Sequence, residues 1–110
     1  METGATRSEQ LVETGLEYRP GEPVHVRVVR RERRVSVTDD GRAVLQAGTP
    51  PRWREVVERM VERDYELNLS RRGDIRVPVV AAGPGLAPLI RRVGEASLAV
   101  YQELLELEPS

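Results

Sequence analysis

The stretch that most restricts the fold of this chain is "VHVRVVRRERRVSV", residues 24–37, in which valines alternate with polar residues. Successive side chains of a β-strand point to opposite faces, so the alternating valines fall on one side. The alternation stops at the arginine-rich "RRERR" and resumes in "VSV". The pattern therefore predicts a β-hairpin with strands near residues 24–30 and 34–38.

Apolar residues at helical spacing predict three helices in the rest of the chain. The first covers Ser8–Tyr18. The second covers Pro51–Asp64, where an apolar stripe follows a Thr-Pro-Pro start of the kind that caps a helix. The third covers about Leu86–Leu107, where residues from Leu86 to Leu105 recur along one stripe.

A second hairpin is predicted between the last two helices. Apolar residues alternate over 65–69 and again over 75–79, and "RRGD" turns the chain between them. Pro78 cannot donate to a β-ladder, so we expect it at a sheet edge or a bulge. Earlier in the chain, "RAVLQAG" is expected to form a short third strand or a turn.

These elements define an α+β fold with the order α-ββ-α-ββ-α. Hairpin connections produce an antiparallel sheet, here of about four to five strands, with the helices packed on one face. The chain has 110 residues, of which 39% are hydrophobic, which is enough to bury the core of one domain. We assign residues 1–7 to a flexible tail and 8–110 to a single α+β domain.

The composition excludes several kinds of site. The chain has no cysteine and therefore no disulfide, thiol nucleophile or zinc finger. All 17 basic residues are arginine, yet the net charge is -1, whereas nucleic-acid-binding proteins are usually clearly basic.

No apolar run approaches the ~20 residues of a membrane span, and the N-terminal segment is polar. We expect a cytoplasmic protein that does not act at a membrane.

The most prominent acidic feature is Asp39-Asp40-Gly41, at the end of the second predicted strand. Asp-Gly is a strong turn signal, because glycine accepts a positive φ and aspartate bonds its own backbone. A metal or general-acid pair would need both carboxylates on one side, and a strand separates neighbouring residues. We therefore interpret this segment as a turn, with a small enzyme or metal site at Asp39 and Asp40 as an alternative.

Three other motifs are assigned structural roles. The glycine-rich loop at Gly83-Gly85 precedes a helix and could offer amides to an anion, but it lacks the phosphate-loop lysine, so we interpret it as a connection. The only histidine, His25, has no nucleophile beside it and is interpreted as structural. Trp53 and Tyr101 lie on apolar stripes and are interpreted as packing residues.

The densest charge in the chain surrounds the first hairpin turn. Five arginines form this group: Arg27, Arg30, Arg31, Arg33 and Arg34. Paired strands could present them as a basic rim that binds an anion or an acidic partner. Glu32 interrupts the group and no aromatic residue alternates with it, so a solvated hairpin is the simpler interpretation.

The last helix carries more apolar residues than one stripe requires. Leu98 and Leu107 fall off the stripe that would face the core. Apolar residues outside the core face can form a self-association surface. We therefore expect this helix to contribute to a homodimer.

The segments "VSVTDDG", "YELNLSRRGDIRVPVV" and "ASLAVYQELLEL" together resemble an uncharacterised prokaryotic family of small α+β domains. In that family a strand runs into an Asp-Asp-Gly turn. The resemblance covers residues 24–107 and implies a bacterial source and this fold, but no activity. The element order is also similar to that of small secretion-chaperone-like proteins, which dimerise and bind other chains.

These observations lead to three functional hypotheses. The favoured one is a non-enzymatic interaction or adaptor module that self-associates and binds an unidentified protein partner. The second is nucleic-acid or phosphate binding through the arginine-rich hairpin. The third is the site at Asp39 and Asp40. We assign no catalytic residue, metal ligand or cofactor.

Overall fold

Three consecutive β-strands open the fold in a computed structural model, which describes residues 7–32, 34–81 and 86–107. The side chains of Arg7 and of residues 78–81 are not described. The strands are β1 (Arg7–Arg19), β2 (Glu22–Arg31), β3 (Arg34–Thr38), β4 (Asn68–Leu69) and β5 (Ile75–Ala81). The helices are α1 (Arg42–Ala47), α2 (Trp53–Arg59), which a π-helical turn continues through Met60–Asp64, and α3 (Leu86–Glu106).

The strands form one antiparallel sheet in the order β1-β2-β3-β5-β4, and the helices pack on it. The alternating valines of β2 and β3 are fully buried on the face that the helices cover. Removal of this apolar face from water is the main stabilising contribution. The predicted α+β class, with a five-stranded antiparallel sheet, is confirmed. In the described ranges no helix is both long and apolar enough to cross a membrane.

Two predicted elements are wrong. The segment Ser8–Tyr18 is not a helix but most of β1, which pairs with β2 from Arg7 to Glu13 and then bulges at Gly15, where φ is 85°. Four-residue spacing places Val12 and Leu16 on one side of either a helix or a strand, so the pattern alone could not decide. The segment "RAVLQAG" begins a helix, α1, rather than a third strand or a turn. The order is therefore βββ-αα-ββ-α.

The second hairpin is shorter than its pattern predicts. The alternation suggested a strand from residue 65, but β4 contains only Asn68 and Leu69 because the π-helical turn extends to Asp64. Pro78 lies in a bulge of β5, as expected. Three residues of β3, from Val35 to Val37, lie against four of β5, from Val77 to Val80. The extra residue leaves the proline outside the regular ladder.

Gly94 of helix α3 lies directly against Thr14 of β1. A Cβ atom at this position would lie 2.8 Å from Thr14 Cγ2 and 3.2 Å from Thr14 Cβ. Thr14 is itself fixed, because its hydroxyl donates to the Val24 carbonyl oxygen at 2.9 Å and accepts from the Leu16 amide. The glycine therefore sets the distance between the last helix and the edge of the sheet.

We expect Gly94→Ala to lower the free energy of unfolding by about 1–3 kcal/mol, because the new methyl group overlaps Thr14. The double variant Gly94→Ala with Thr14→Ser removes the nearest methyl and keeps the hydroxyl bonds, so it should recover part of this loss. Urea unfolding of the wild type, the two single variants and the double variant measures the coupling free energy between positions 14 and 94. Additive effects of the two substitutions would contradict the close contact.

Candidate functional site

The corner after β3 is built by Asp39, Asp40 and Gly41. Asp40 and Gly41 both have left-handed backbone conformations, with φ of 59° and 70°. The Gly41 amide donates to Asp39 Oδ1 at 2.8 Å, and the Asp40 amide donates to the Thr38 hydroxyl at 3.1 Å. These local bonds turn the chain from β3 into α1, so the turn interpretation is confirmed.

Asp39 is buried, with 1% of its surface exposed, and its carboxylate is fully hydrogen-bonded. Besides the Gly41 amide, Oδ1 accepts the Ile75 amide of β5 at 2.9 Å. The other oxygen, Oδ2, accepts the Ser97 hydroxyl of α3 at 2.7 Å and, more weakly, the Ala43 amide of α1 at 3.4 Å. One carboxylate therefore joins the corner, the sheet and the last helix.

A chain of hydroxyls continues from Asp39 to β1. Since Ser97 donates its single hydroxyl hydrogen to Asp39, the Tyr18 hydroxyl, 2.7 Å from Ser97 Oγ, must donate to Ser97. The Tyr18 ring also packs on Tyr101 of α3, with ring centroids 5.2 Å apart. Burial raises the pKa of Tyr18 to about 12. We name Tyr18, Ser97 and Asp39 the buried polar triad.

Sequence reasoning did not find the buried polar triad. One signal was available: Ser97 is a hydroxyl residue on an otherwise apolar helical stripe, and a buried hydroxyl needs a partner. Tyr18 gave no comparable signal, because its segment was predicted as a helix. With the three side chains buried or nearly so, the arrangement stabilises the fold and offers no open position for a substrate.

Asp40 points away from its neighbour. Its Oδ2 accepts Arg27 Nε of β2 at 2.7 Å, and Arg27 also contacts Glu9 of β1 at 3.3 Å. Asp40 and Glu9 both raise the pKa of Arg27. The structure thus does not bring the two aspartates together on one ligand. In the described part of the chain no group of three His, Asp or Glu side chains could hold a metal.

The five arginines of the predicted rim do not form one surface. Arg27 is paired with carboxylates, whereas Arg31 and Arg34 lie directly opposite each other at the end of the hairpin. Arg30 pairs with Val35 and therefore belongs to the other face of the sheet. Arg33 lies outside the described residues. The structure therefore brings together Arg31 and Arg34, both exposed.

The predicted self-association residues are less exposed than expected. Leu98 and Leu107 are partly buried and pack against the core. Three other leucines are the exposed large hydrophobic residues of the described chain: Leu11 of β1 at 49%, Leu45 of α1 at 75% and Leu105 of α3 at 57%. Leu105 borders a shallow groove of about 430 Å³ that residues 47–51 and the end of α3 line.

The remaining sequence motifs have simple placements. His25 lies on the uncovered face of the sheet, with Nε2 3.5 Å from Glu13 Oε2. Tyr101 is buried, and Trp53 packs against the core, as predicted for packing residues. The loop at Gly83-Gly85 lies outside the described residues.

No protein-family model, curated protein or solved structure matches this chain.

We expect Asp39→Asn to lower the free energy of unfolding by about 2 kcal/mol, because a buried NH₂ group would replace an acceptor beside the Ala43 amide and the Ser97 hydroxyl. The matched variant Asp40→Asn removes a half-exposed ion pair with Arg27 and should cost less than about 1 kcal/mol. Chemical denaturation of both variants measures the difference. Equal losses would contradict the central role of Asp39.

The stability contribution of Asp39 should depend on pH. Burial raises its pKa above the ordinary value of 3.8, although Ser97 and three backbone amides lower it in part. The folded protein then holds a proton that the unfolded chain has released, so the free energy of unfolding falls as pH rises from about 3.8 through the raised pKa. Above that range the contribution is constant.

We expect Asp39→Asn to lack this decline and Asp40→Asn to retain it. Urea unfolding between mildly acidic and neutral pH, compared with the wild type, measures the slope. A wild-type profile in Asp39→Asn would show that Asp39 has an ordinary pKa.

Proposed function

We propose that this domain is a non-enzymatic, cytoplasmic protein-interaction module that forms a homodimer through the free edge of β1. The observation that carries the proposal is the length of that edge. β1 has 13 residues and lies at one end of the sheet, so one side of its backbone has no partner strand in the described sheet. A long uncovered edge strand is a template for pairing with another chain.

The two edges of the sheet differ sharply. The opposite edge strand, β4, has only two residues, and short edge strands are a common protection against association. The bulge at Gly15 interrupts β1 near its middle and limits regular pairing to Arg7–Glu13. This segment, which we name the pairing segment, is the part of the edge that a second chain can extend.

A second copy fits the pairing segment because its charges are self-complementary. Antiparallel pairing about a two-fold axis at Gln10 places position 7, an arginine, opposite position 13, a glutamate. Glu13 has 73% of its side chain exposed and is therefore accessible. The axis produces this pair twice, so each end of the shared ladder gains an opposite-charge pair.

The same register covers the exposed leucine of the strand. Leu11 would lie opposite Glu9 of the second copy and diagonal to the second Leu11, within contact distance for long side chains. Helix α3 supports this edge from the covered face. Gly94 lies on its flank toward β1, since it faces Thr14, and Leu98 follows one helical turn later.

We expect Leu11→Lys to weaken the dimer by at least about tenfold, or ~1.4 kcal/mol, because a charge on an edge strand opposes strand addition. The control is Leu45→Lys on α1, which introduces the same charge at a more exposed leucine away from β1. Sedimentation velocity at micromolar concentrations measures both.

Two results would contradict the proposal. One is a monomeric wild type at these concentrations. The other is dissociation by Leu45→Lys or Leu105→Lys with no effect of Leu11→Lys, which would place the interface at the groove beside the end of α3.

A further inference from the structure

We infer that the tip of the β2–β3 hairpin is a binding site for a chain of phosphate groups, with Arg31 and Arg34 as the binding residues. This chemistry occurs in nucleic-acid backbones and in inorganic polyphosphate. The site does not depend on the proposed dimer, because both arginines belong to one hairpin of one chain.

The strand register places the two arginines side by side. Arg31, the last residue of β2, pairs directly with Arg34, the first residue of β3, across a two-residue loop. Directly opposed residues on an antiparallel pair have Cβ atoms about 5 Å apart and point to the same face. The hairpin therefore presents two guanidinium groups together at its end.

Neither arginine is neutralised within the described chain. Both are exposed, and no carboxylate of the described residues lies within ion-pair distance of either. Arg27 provides the contrast, since it lies on the same face of β2 and is bound by Asp40 and Glu9. Among the three arginines of this face of the hairpin, Arg27 has carboxylate partners, and Arg31 and Arg34 have none among the described residues.

Opposed like charges destabilise a strand pair, and an anion between them removes the repulsion. Arginine stays charged at any physiological pH, and its planar fork donates two parallel N–H bonds to one phosphate. Two adjacent guanidinium groups can therefore bind a ligand that carries more than one phosphate. Since Arg31, Glu32 and Arg34 are exposed and no aromatic residue occurs among residues 31–34, binding depends on charge rather than on base stacking.

One acidic residue opposes this site. Glu32 occupies the loop between the two strands, is exposed, and has a left-handed backbone with φ of 54°. Its carboxylate repels an incoming phosphate. We therefore expect the tip to bind phosphate groups more tightly when the charge of Glu32 alone is removed.

The test measures binding of a labelled single-stranded oligothymidylate by fluorescence anisotropy at increasing salt, with inorganic polyphosphate as a second probe. In the double variant Arg31→Gln with Arg34→Gln, affinity at low salt should fall about tenfold or more. The slope of log K against log salt should become shallower by roughly 1.4, or about 0.7 per lost phosphate contact. Glu32→Gln should bind more tightly than the wild type, which a merely damaged fold could not produce.

The control is Arg59→Gln with Arg63→Gln, which removes the same charge from two exposed arginines of α2 and the following π-helical turn. It should keep the wild-type slope. Binding of both probes supports phosphate chains in general, and binding of polyphosphate alone supports the non-nucleic source. The inference is overturned if the wild type binds neither probe, if the tip variant binds as the wild type does, or if the control loses as much.

Discussion

The structure depends on one buried carboxylate. Asp39 receives hydrogen bonds from its own corner, from Ile75 in β5 and from Ser97 in α3, and Ser97 extends the connection to Tyr18 in β1. A buried charge is costly unless it is hydrogen-bonded, so these segments can reach their positions only together. The carboxylate thereby links the start of the sheet, its centre and the helix that covers it.

At the same corner, one carboxylate is buried in the core and the next lies at the surface. Asp39 turns inward, and the left-handed backbone of Asp40 turns the next carboxylate outward to Arg27. The charge of Arg27 on the uncovered face is thereby compensated. The backbone edge of β1 and the two arginines of the hairpin tip lie at the periphery, where no described strand or carboxylate pairs with them. Both proposed interactions follow from this distribution, and neither involves the buried polar triad.

Prediction from the sequence succeeded where a residue pattern is compatible with only one kind of secondary structure. The alternating valines required a strand pair with one apolar face, and the Asp-Asp-Gly segment required a turn. Prediction failed for β1, because the spacing of Val12 and Leu16 suits a helix as well as a strand. That the side chains of Asp39 and Asp40 point apart was also predictable, since alternation separates neighbouring side chains, but the burial of Asp39 was not.

By itself, the sequence determined the apolar face of the first hairpin, the long last helix and the corner that follows β3, because each depends on neighbours within a few residues. Tertiary structure alone decided that Ser8–Tyr18 becomes an edge strand, since that choice requires the ladder with β2 and the close approach of Gly94 to Thr14. It also decided that Asp39 is a core residue. Two of the donors that compensate its charge lie 36 and 58 positions away in the chain, and only folding brings them within hydrogen-bond distance.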